Sequence, residues 1–118
     1  MTAPRGRLDK DAARELELYI DNDGQLHRSQ AEPIRLNLRR KIANGTFNPT
    51  RSVDLWMYLT EAGAKKYHAE FGDRHTRWND MFSRPTRLFV AKRMALQFMQ
   101  DEGLDVPKSA WDELSLED

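Results

Sequence analysis

Apolar side chains recur at helical spacing along most of this 118-residue chain. Ile34, Leu38 and Ile42, for example, stand four residues apart and therefore lie on one face of a helix. No segment alternates apolar and polar residues for long enough to predict a strand, and β-branched residues are sparse. The pattern predicts an all-α fold, a compact bundle of four to five helices with short loops.

Glycine, proline and short polar residues indicate where these helices begin and end. Gly24 ends the first helix, and Ser83 caps the last one, which carries Pro85 in its first turn. Either Thr50 or Ser52 is expected to cap the third helix. The predicted helices cover residues 9–20, 29–44, 51–71 and 76–82, with the last one reaching about Glu102.

The chain divides into three segments on this interpretation. Residues 1–7 are a disordered lead-in, 8–103 form a single helical domain, and 104–118 are an acidic tail. The tail retains apolar residues that could still dock onto the domain, namely Val106, Trp111 and Leu114.

Composition excludes several classes of protein. The chain has no cysteine, which excludes disulfides, thiolate metal sites and cysteine catalysis. No stretch approaches the roughly 20 apolar residues that span a bilayer, so we expect no membrane association. The first ten residues lack the apolar core of a secretory signal, and the expected location is the cytoplasm.

Motifs that would support catalysis or metal binding are missing from the sequence. His27, His68 and His75 fit no zinc spacing, and no nucleophile elbow or phosphate-binding glycine loop is present. Acidic pairs such as Glu15 and Glu17 are interpreted as surface charges with no apolar pocket beside them. We therefore predict no enzyme, no metal site and no cofactor. A small enzyme stays open as a third possibility, which would require a concave pocket with a buried titratable group.

Charge is strongly partitioned along the chain although the formal net charge is zero. Residues 24–100 hold fourteen basic and six acidic side chains, a net charge of +8. Residues 101–118 hold one basic and seven acidic side chains, a net charge of −6. A basic middle segment can contact an anionic partner. Alternatively, its cations pair with carboxylates of the same chain, including those of the tail.

The basic side chains of the middle segment are the candidate contacts to a partner protein or a nucleic acid. They are Arg28, Arg35, Arg39, Arg40, Lys41, Lys65, Lys66, Arg84 and Arg87. Arginine predominates, and its planar guanidinium suits carboxylate and phosphate groups. The link of about six residues between the second and third helices is too long for a helix-turn-helix motif.

Four large aromatic residues are many for so small a core to accommodate together: Trp56, Tyr58, Trp78 and Trp111. Those that do not point inward are expected on the surface. Trp56 is expected to be buried against the first and last helices. Exposed aromatics and arginines are typical anchors of protein interfaces. The leading hypothesis is a non-catalytic protein that binds another protein through a helical surface. The alternative is a nucleic-acid-binding protein that uses the basic face of residues 28–87, and the oligomeric state is left open.

Several short phrases carry a resemblance to other sequences. They are Glu15-Leu16-Glu17-Leu18-Tyr19-Ile20-Asp21-Asn22-Asp23, Asn37-Leu38, Gly45-Thr46-Phe47-Asn48, Leu55-Trp56-Met57-Tyr58-Leu59 and Gly63-Ala64-Lys65-Lys66-Tyr67. Over about residues 15–100 the chain resembles a group of small uncharacterised proteins of phage, plasmid and environmental sequences. The resemblance implies a mobile-element origin and a single middle domain, and it brings no activity or binding residue.

Overall fold

A computed structural model describes residues 6–117, of which 74% are helical and none form a strand. The all-α prediction is confirmed. The helices are α1 (Lys10–Asp21), α2 (Gly24–Leu26), a π-helical segment (His27–Ala31), α3 (Glu32–Ala43), α4 (Pro49–Phe71), α5 (Trp78–Met81), α6 (Arg84–Asp101) and α7 (Lys108–Glu113). Because α2, the π-helical segment and α3 are continuous, the described residues form six helices, slightly more than predicted. No helix in this part of the chain has the length and apolar character to cross a membrane.

Side-chain caps set the starts of the long helices. The Asp9 side chain accepts a hydrogen bond from the Ala12 N–H at the start of α1, and Ser83 caps α6 as predicted. The predicted cap of the third helix is wrong, because the Asn48 side chain accepts from the Arg51 N–H. Pro49 then occupies the first turn, where its missing N–H is tolerated. The helix therefore begins before Thr50.

The second helix begins five residues earlier than predicted. Asp23, expected only to help end α1, also caps α2 by accepting from the Leu26 N–H at 2.9 Å. The helix widens into the π-helical segment, where the Glu32 N–H donates to the His27 carbonyl. Single π turns are frequent beside functional sites.

The core lies where α1 packs across α4 and α6, which form the most extensive helix pair. Leu16, Ile20, Trp56, Leu59 and Val90 are almost fully buried there, so the predicted burial of Trp56 is confirmed. The Trp56 and Phe98 rings lie 6.0 Å apart, which places Trp56 against α6.

Both ends of the described chain are attached to the bundle. The Ser83 hydroxyl donates to the Arg7 carbonyl at 2.7 Å, and residues 1–5 of the predicted lead-in lie outside the described residues. At the other end, Leu114 and Leu116 pack against the core. The Leu114 carbonyl also accepts from Arg93 Nη1 at 2.7 Å, and the Leu116 carbonyl from Arg14 Nη2 at 3.1 Å. The acidic tail, as far as it is described, is docked on α1 and α6.

Candidate functional site

Arg87 is buried in the interior of the protein. This corrects its prediction as a contact to a partner. It is 8% exposed, and its Nη1 lies 3.1 Å from Glu61 Oε1. Its Nε donates to the Phe82 carbonyl at 3.0 Å, and its guanidinium lies 4.7 Å from the centre of the Trp78 ring. A buried arginine must be paired and hydrogen-bonded in this way.

The two lysines of α4 are also engaged within the fold. Lys65 Nζ lies 5.0 Å from the centre of the Trp78 ring. Lys66 Nζ lies 2.7 Å from Asp23 Oδ2 and donates to Gln25 Oε1 at 2.8 Å. The hydrogen bond from Lys66 lowers the pKa of Asp23, assisted by the Leu26 N–H. These lysines hold α4 against α5 and α2.

The helix from Gly24 to Ala43 keeps the largest share of the predicted cations on its surface. Arg28, Arg40 and Lys41 are exposed, and within residues 6–117 they form no ion pair. Leu36, four residues before Arg40, is 53% exposed. We call Arg28, Leu36, Arg40 and Lys41 the basic surface.

Three further predicted cations differ from this group. Arg39 Nε lies 2.6 Å from Glu102 Oε1, so its charge is largely compensated. Arg84 is exposed at the start of α6, on a different helix. Arg35 is half-buried and faces the cavity described below. The structure thus brings four of the nine predicted residues, Arg28, Arg39, Arg40 and Lys41, onto exposed positions of one continuous helix.

The four aromatic residues singled out from the sequence have different environments. Trp56 is buried, Trp78 lies between Lys65 and Arg87, and Trp111 is half-buried. Tyr58 is 66% exposed on α4. Of the four, Tyr58 is therefore the residue whose side chain is available to a partner.

A cavity of about 260 Å³ lies between α1, the π-helical segment, α3, α4, α6 and α7. Its polar lining comprises Glu17, Asp21, His27, Arg35, Arg93, Gln97 and Asp101. Its apolar lining comprises Ile20, Ala31, Trp56, Leu59, Met94, Phe98 and Trp111. Asp21, Gln97 and Asp101 are exposed residues and form the rim.

Some polar groups of the lining are paired with one another. Arg93 Nε donates to Glu17 Oε2 at 2.8 Å, and its Nη2 lies 3.4 Å from Glu17 Oε1. Gln97 Nε2 donates to Asp101 Oδ1 at 2.9 Å. Trp56 is different, because its indole N–H is buried and has no acceptor among the described residues. A buried donor without an acceptor costs about 1–3 kcal/mol.

The pKa of the Asp21 carboxyl is raised above its ordinary value. Partial burial beside the cavity is the largest cause, and the nearby Glu17 carboxylate adds to it. His27, Arg35 and Arg93 act in the opposite direction. The protein therefore disfavours the charged form of this carboxyl. Asp21 is nevertheless exposed, so a ligand can reach it from solvent.

The sequence interpretation missed this cavity. Glu15 is exposed as expected, but Glu17 faces the cavity, so its interpretation as a surface charge without a pocket is wrong. The spacing contained one usable signal: Glu17 and Asp21 are four residues apart and flank the buried Ile20. The other walls come from distant parts of the chain. Within residues 6–117, no three histidine or acidic side chains are grouped as metal ligands would be.

No protein-family model matches the chain, and neither a curated protein nor a solved structure is similar to it.

Proposed function

We propose that this protein is a non-catalytic, cytoplasmic interaction protein that binds an acidic surface of another protein through the basic surface on the helix from Gly24 to Ala43. The observation that carries the proposal is an exposed Leu36 one helical turn before Arg40, on a helix that also exposes Arg28 and Lys41. None of the three cations has a carboxylate partner within residues 6–117. Apolar contact at the centre of a charged rim is the usual anatomy of a protein interface.

The two kinds of residue have different roles in this proposal. Burial of Leu36 against a partner stabilises the complex, since full burial of a leucine is worth roughly 1.5–3 kcal/mol. Arg28, Arg40 and Lys41 select an acidic partner and accelerate the encounter. Tyr58, exposed on α4, is a second apolar contact if the interface extends to that helix.

Site-specific photocrosslinking in the host cell tests the proposal. A photoreactive residue at position 36 should capture a protein through an acidic peptide, and capture should survive nuclease treatment. The matched control carries the same residue at Leu18 on α1, which is 58% exposed. Equal capture from positions 18 and 36 would contradict the proposal. So would capture from position 36 that nuclease treatment abolishes, or capture that Arg40→Gln leaves unchanged.

Nucleic-acid binding is the second candidate, because Arg28, Arg40 and Lys41 lie on one continuous helix. Phosphate contacts should then give a gel shift with random oligonucleotides that weakens steeply between roughly 50 and 200 mM salt. Replacing Arg28, Arg40 and Lys41 with Ala should abolish that shift while helicity is unchanged. No shift with the unmodified protein removes this candidate.

A further inference from the structure

We propose that the cavity between α1, α4 and α6 binds a small zwitterion of the α-amino-acid class, with an ammonium group at Asp21, a carboxylate at Arg35 and an apolar side chain against Trp56 and Phe98. This site is separate from the basic surface, because none of Arg28, Leu36, Arg40 and Lys41 lines the cavity.

The first argument comes from two opposite charges that line the same cavity. Asp21 lies at the end of α1 and Arg35 on α3, and both border it. Within the described residues, however, the two side chains form no ion pair at 4.0 Å or less. A molecule that carries both signs of charge would bridge them, and each end would form a charge-assisted hydrogen bond.

The remaining charged groups of the lining leave this pair available. Glu17 and Arg93 compensate each other through their two contacts. His27 Nε2 lies 3.0 Å from the Asp21 carbonyl oxygen, so it does not occupy the Asp21 carboxyl. Among the described residues, Asp101 holds only a hydrogen bond from the neutral Gln97, and it is a second acceptor for an ammonium group at the rim.

The second argument is the unsatisfied indole of Trp56. The residue is 2% exposed, lines the cavity, and has a buried Nε1–H with no acceptor within residues 6–117. Buried polar groups are nearly always hydrogen-bonded. The N–H is itself closed to solvent, so a ligand carboxylate supplies the missing acceptor only after a lining side chain moves aside.

The third argument is size and wall chemistry. A volume of about 260 Å³ corresponds to about eight water molecules at roughly 30 Å³ each, which suits a free amino acid and excludes a peptide. Ile20, Leu59, Met94 and Phe98 form an apolar wall. A ligand with a branched or aromatic side chain should therefore bind better than glycine.

Calorimetry and tryptophan fluorescence on the full chain test the proposal with L-leucine as the probe. Trp56 and Trp111 line the cavity and report its occupancy. Leucinamide keeps the cation and lacks the anion, whereas N-acetylleucine keeps the anion and lacks the cation. L-leucine should bind saturably and about tenfold or more tightly than either, since each analogue leaves one charged group unpaired. Glycine should also bind more weakly.

Variants locate the binding. Asp21→Asn and Arg35→Gln should each weaken L-leucine binding by about tenfold or more. Arg40→Gln on α3 and Asp54→Asn on α4, both exposed and outside the cavity, should change it by less than about twofold. Circular dichroism confirms that each variant is folded. If a variant is unstable, the comparison of L-leucine with leucinamide, N-acetylleucine and glycine on the unmodified chain still tests whether the cavity binds a zwitterion.

Three results would overturn the proposal. They are the absence of saturable binding of leucine, valine and phenylalanine at millimolar concentration, equal binding of leucine and leucinamide or N-acetylleucine, and unchanged binding in Asp21→Asn and Arg35→Gln. The photocrosslinking at position 36 is independent of all three, so either proposal can fail without the other.

Discussion

Trp56 and Tyr58 stand two residues apart on α4 and have opposite environments. Trp56 is 2% exposed and packs against Phe98, whereas Tyr58 is 66% exposed. We expect Trp56→Ala to lower the free energy of unfolding by about 3–5 kcal/mol, because a large buried ring is removed. Since small domains are stable by roughly 5–15 kcal/mol, the variant should be close to unfolding. Urea denaturation measures the change.

Tyr58→Ala is the matched control for this prediction. An exposed ring makes few contacts to lose, so its loss should change stability by less than about 0.5 kcal/mol. Similar changes in the two variants would show that the ring of Trp56 is not packed as described.

The phenol of Tyr19 should ionise at a higher pH than that of a free tyrosine. Burial, together with the hydrogen bond it donates to Glu70 Oε2 at 2.7 Å and the negative charge of that carboxylate, raises its pKa to about 12. The folded-state pKa lies above the value of about 10 for a free tyrosine. The resulting stabilisation is therefore fully present below about pH 10 and is lost as the pH rises towards 12.

An ultraviolet titration of phenolate absorbance measures this ionisation. The phase near pH 12 should disappear in Tyr19→Phe and should persist in Tyr58→Phe. Tyr19→Phe should also show a smaller loss of stability between about pH 10 and 12 than the unmodified protein, by the same linkage. A late phase that survives in Tyr19→Phe would contradict the assignment.

At the scale of elements, the crossing of α1 and α4 depends on Gly63. A Cβ at this position would lie 2.5 Å from Cγ1 and 2.7 Å from Cδ1 of Ile20, which is 1% exposed and enclosed by the core. Alanine favours helix by about 1 kcal/mol over glycine. Overpacking costs about 1–3 kcal/mol. We expect Gly63→Ala to be net destabilising, by up to about 2 kcal/mol in thermal or urea unfolding.

Gly24→Ala provides the comparison for Gly63→Ala. A Cβ at Gly24 would lie 3.2 Å from the terminal Nη1 of Arg28, a flexible and exposed side chain that can move aside. This variant should be neutral or slightly stabilising. If both alanine variants gained stability, α1 and α4 would not be in close contact at Gly63.

At the scale of the whole molecule, the tail acts as part of the core. Truncation after Gly103 removes Leu114 and Leu116 together with the carbonyls bound by Arg93 and Arg14. Two half-buried leucines and these hydrogen bonds should contribute about 2–4 kcal/mol. The truncated chain should therefore melt at a clearly lower temperature.

A charge-matched control separates packing from electrostatics. Truncation removes five acidic groups and one basic group, which raises the net charge from 0 to +4. Neutralising Asp105, Asp112, Glu113 and Glu117 gives the same net charge and leaves the apolar contacts in place. The neutralised variant should stay within about 1 kcal/mol of the parent. Equal destabilisation of the two variants would show that the charges, not the leucines, hold the tail.

The contacts of the tail also bear on the alternative that its carboxylates pair with the cations of the basic middle segment. The described part of the tail is held by apolar side chains and main-chain carbonyls. Its cationic partners Lys10, Arg14 and Arg93 lie outside the predicted basic set. Truncation should consequently tighten nucleic-acid binding no more than the charge-matched variant does.

Local structure was largely determined by the sequence alone. Helical periodicity and Ser83 located seven of the eight ends of the four long helices to within about two residues, because caps and face periodicity depend on neighbours a few residues away. Gly24, predicted to end the first helix, instead begins α2, and Asn22 is the C-cap of α1. The early start at Gly24 was missed because Asp23 serves two helices at once.

Only the tertiary structure decided which of these residues act together. Arg93 meets Glu17 across 76 residues, and the cavity combines α1, the π-helical segment, α3, α4, α6 and α7. The same long-range packing buries Arg87, exposes Tyr58 and leaves the Trp56 N–H without an acceptor among the described residues. Helix periodicity specifies which residues share a face of one helix, whereas the pairing of faces depends on how side chains of distant segments fill a common core.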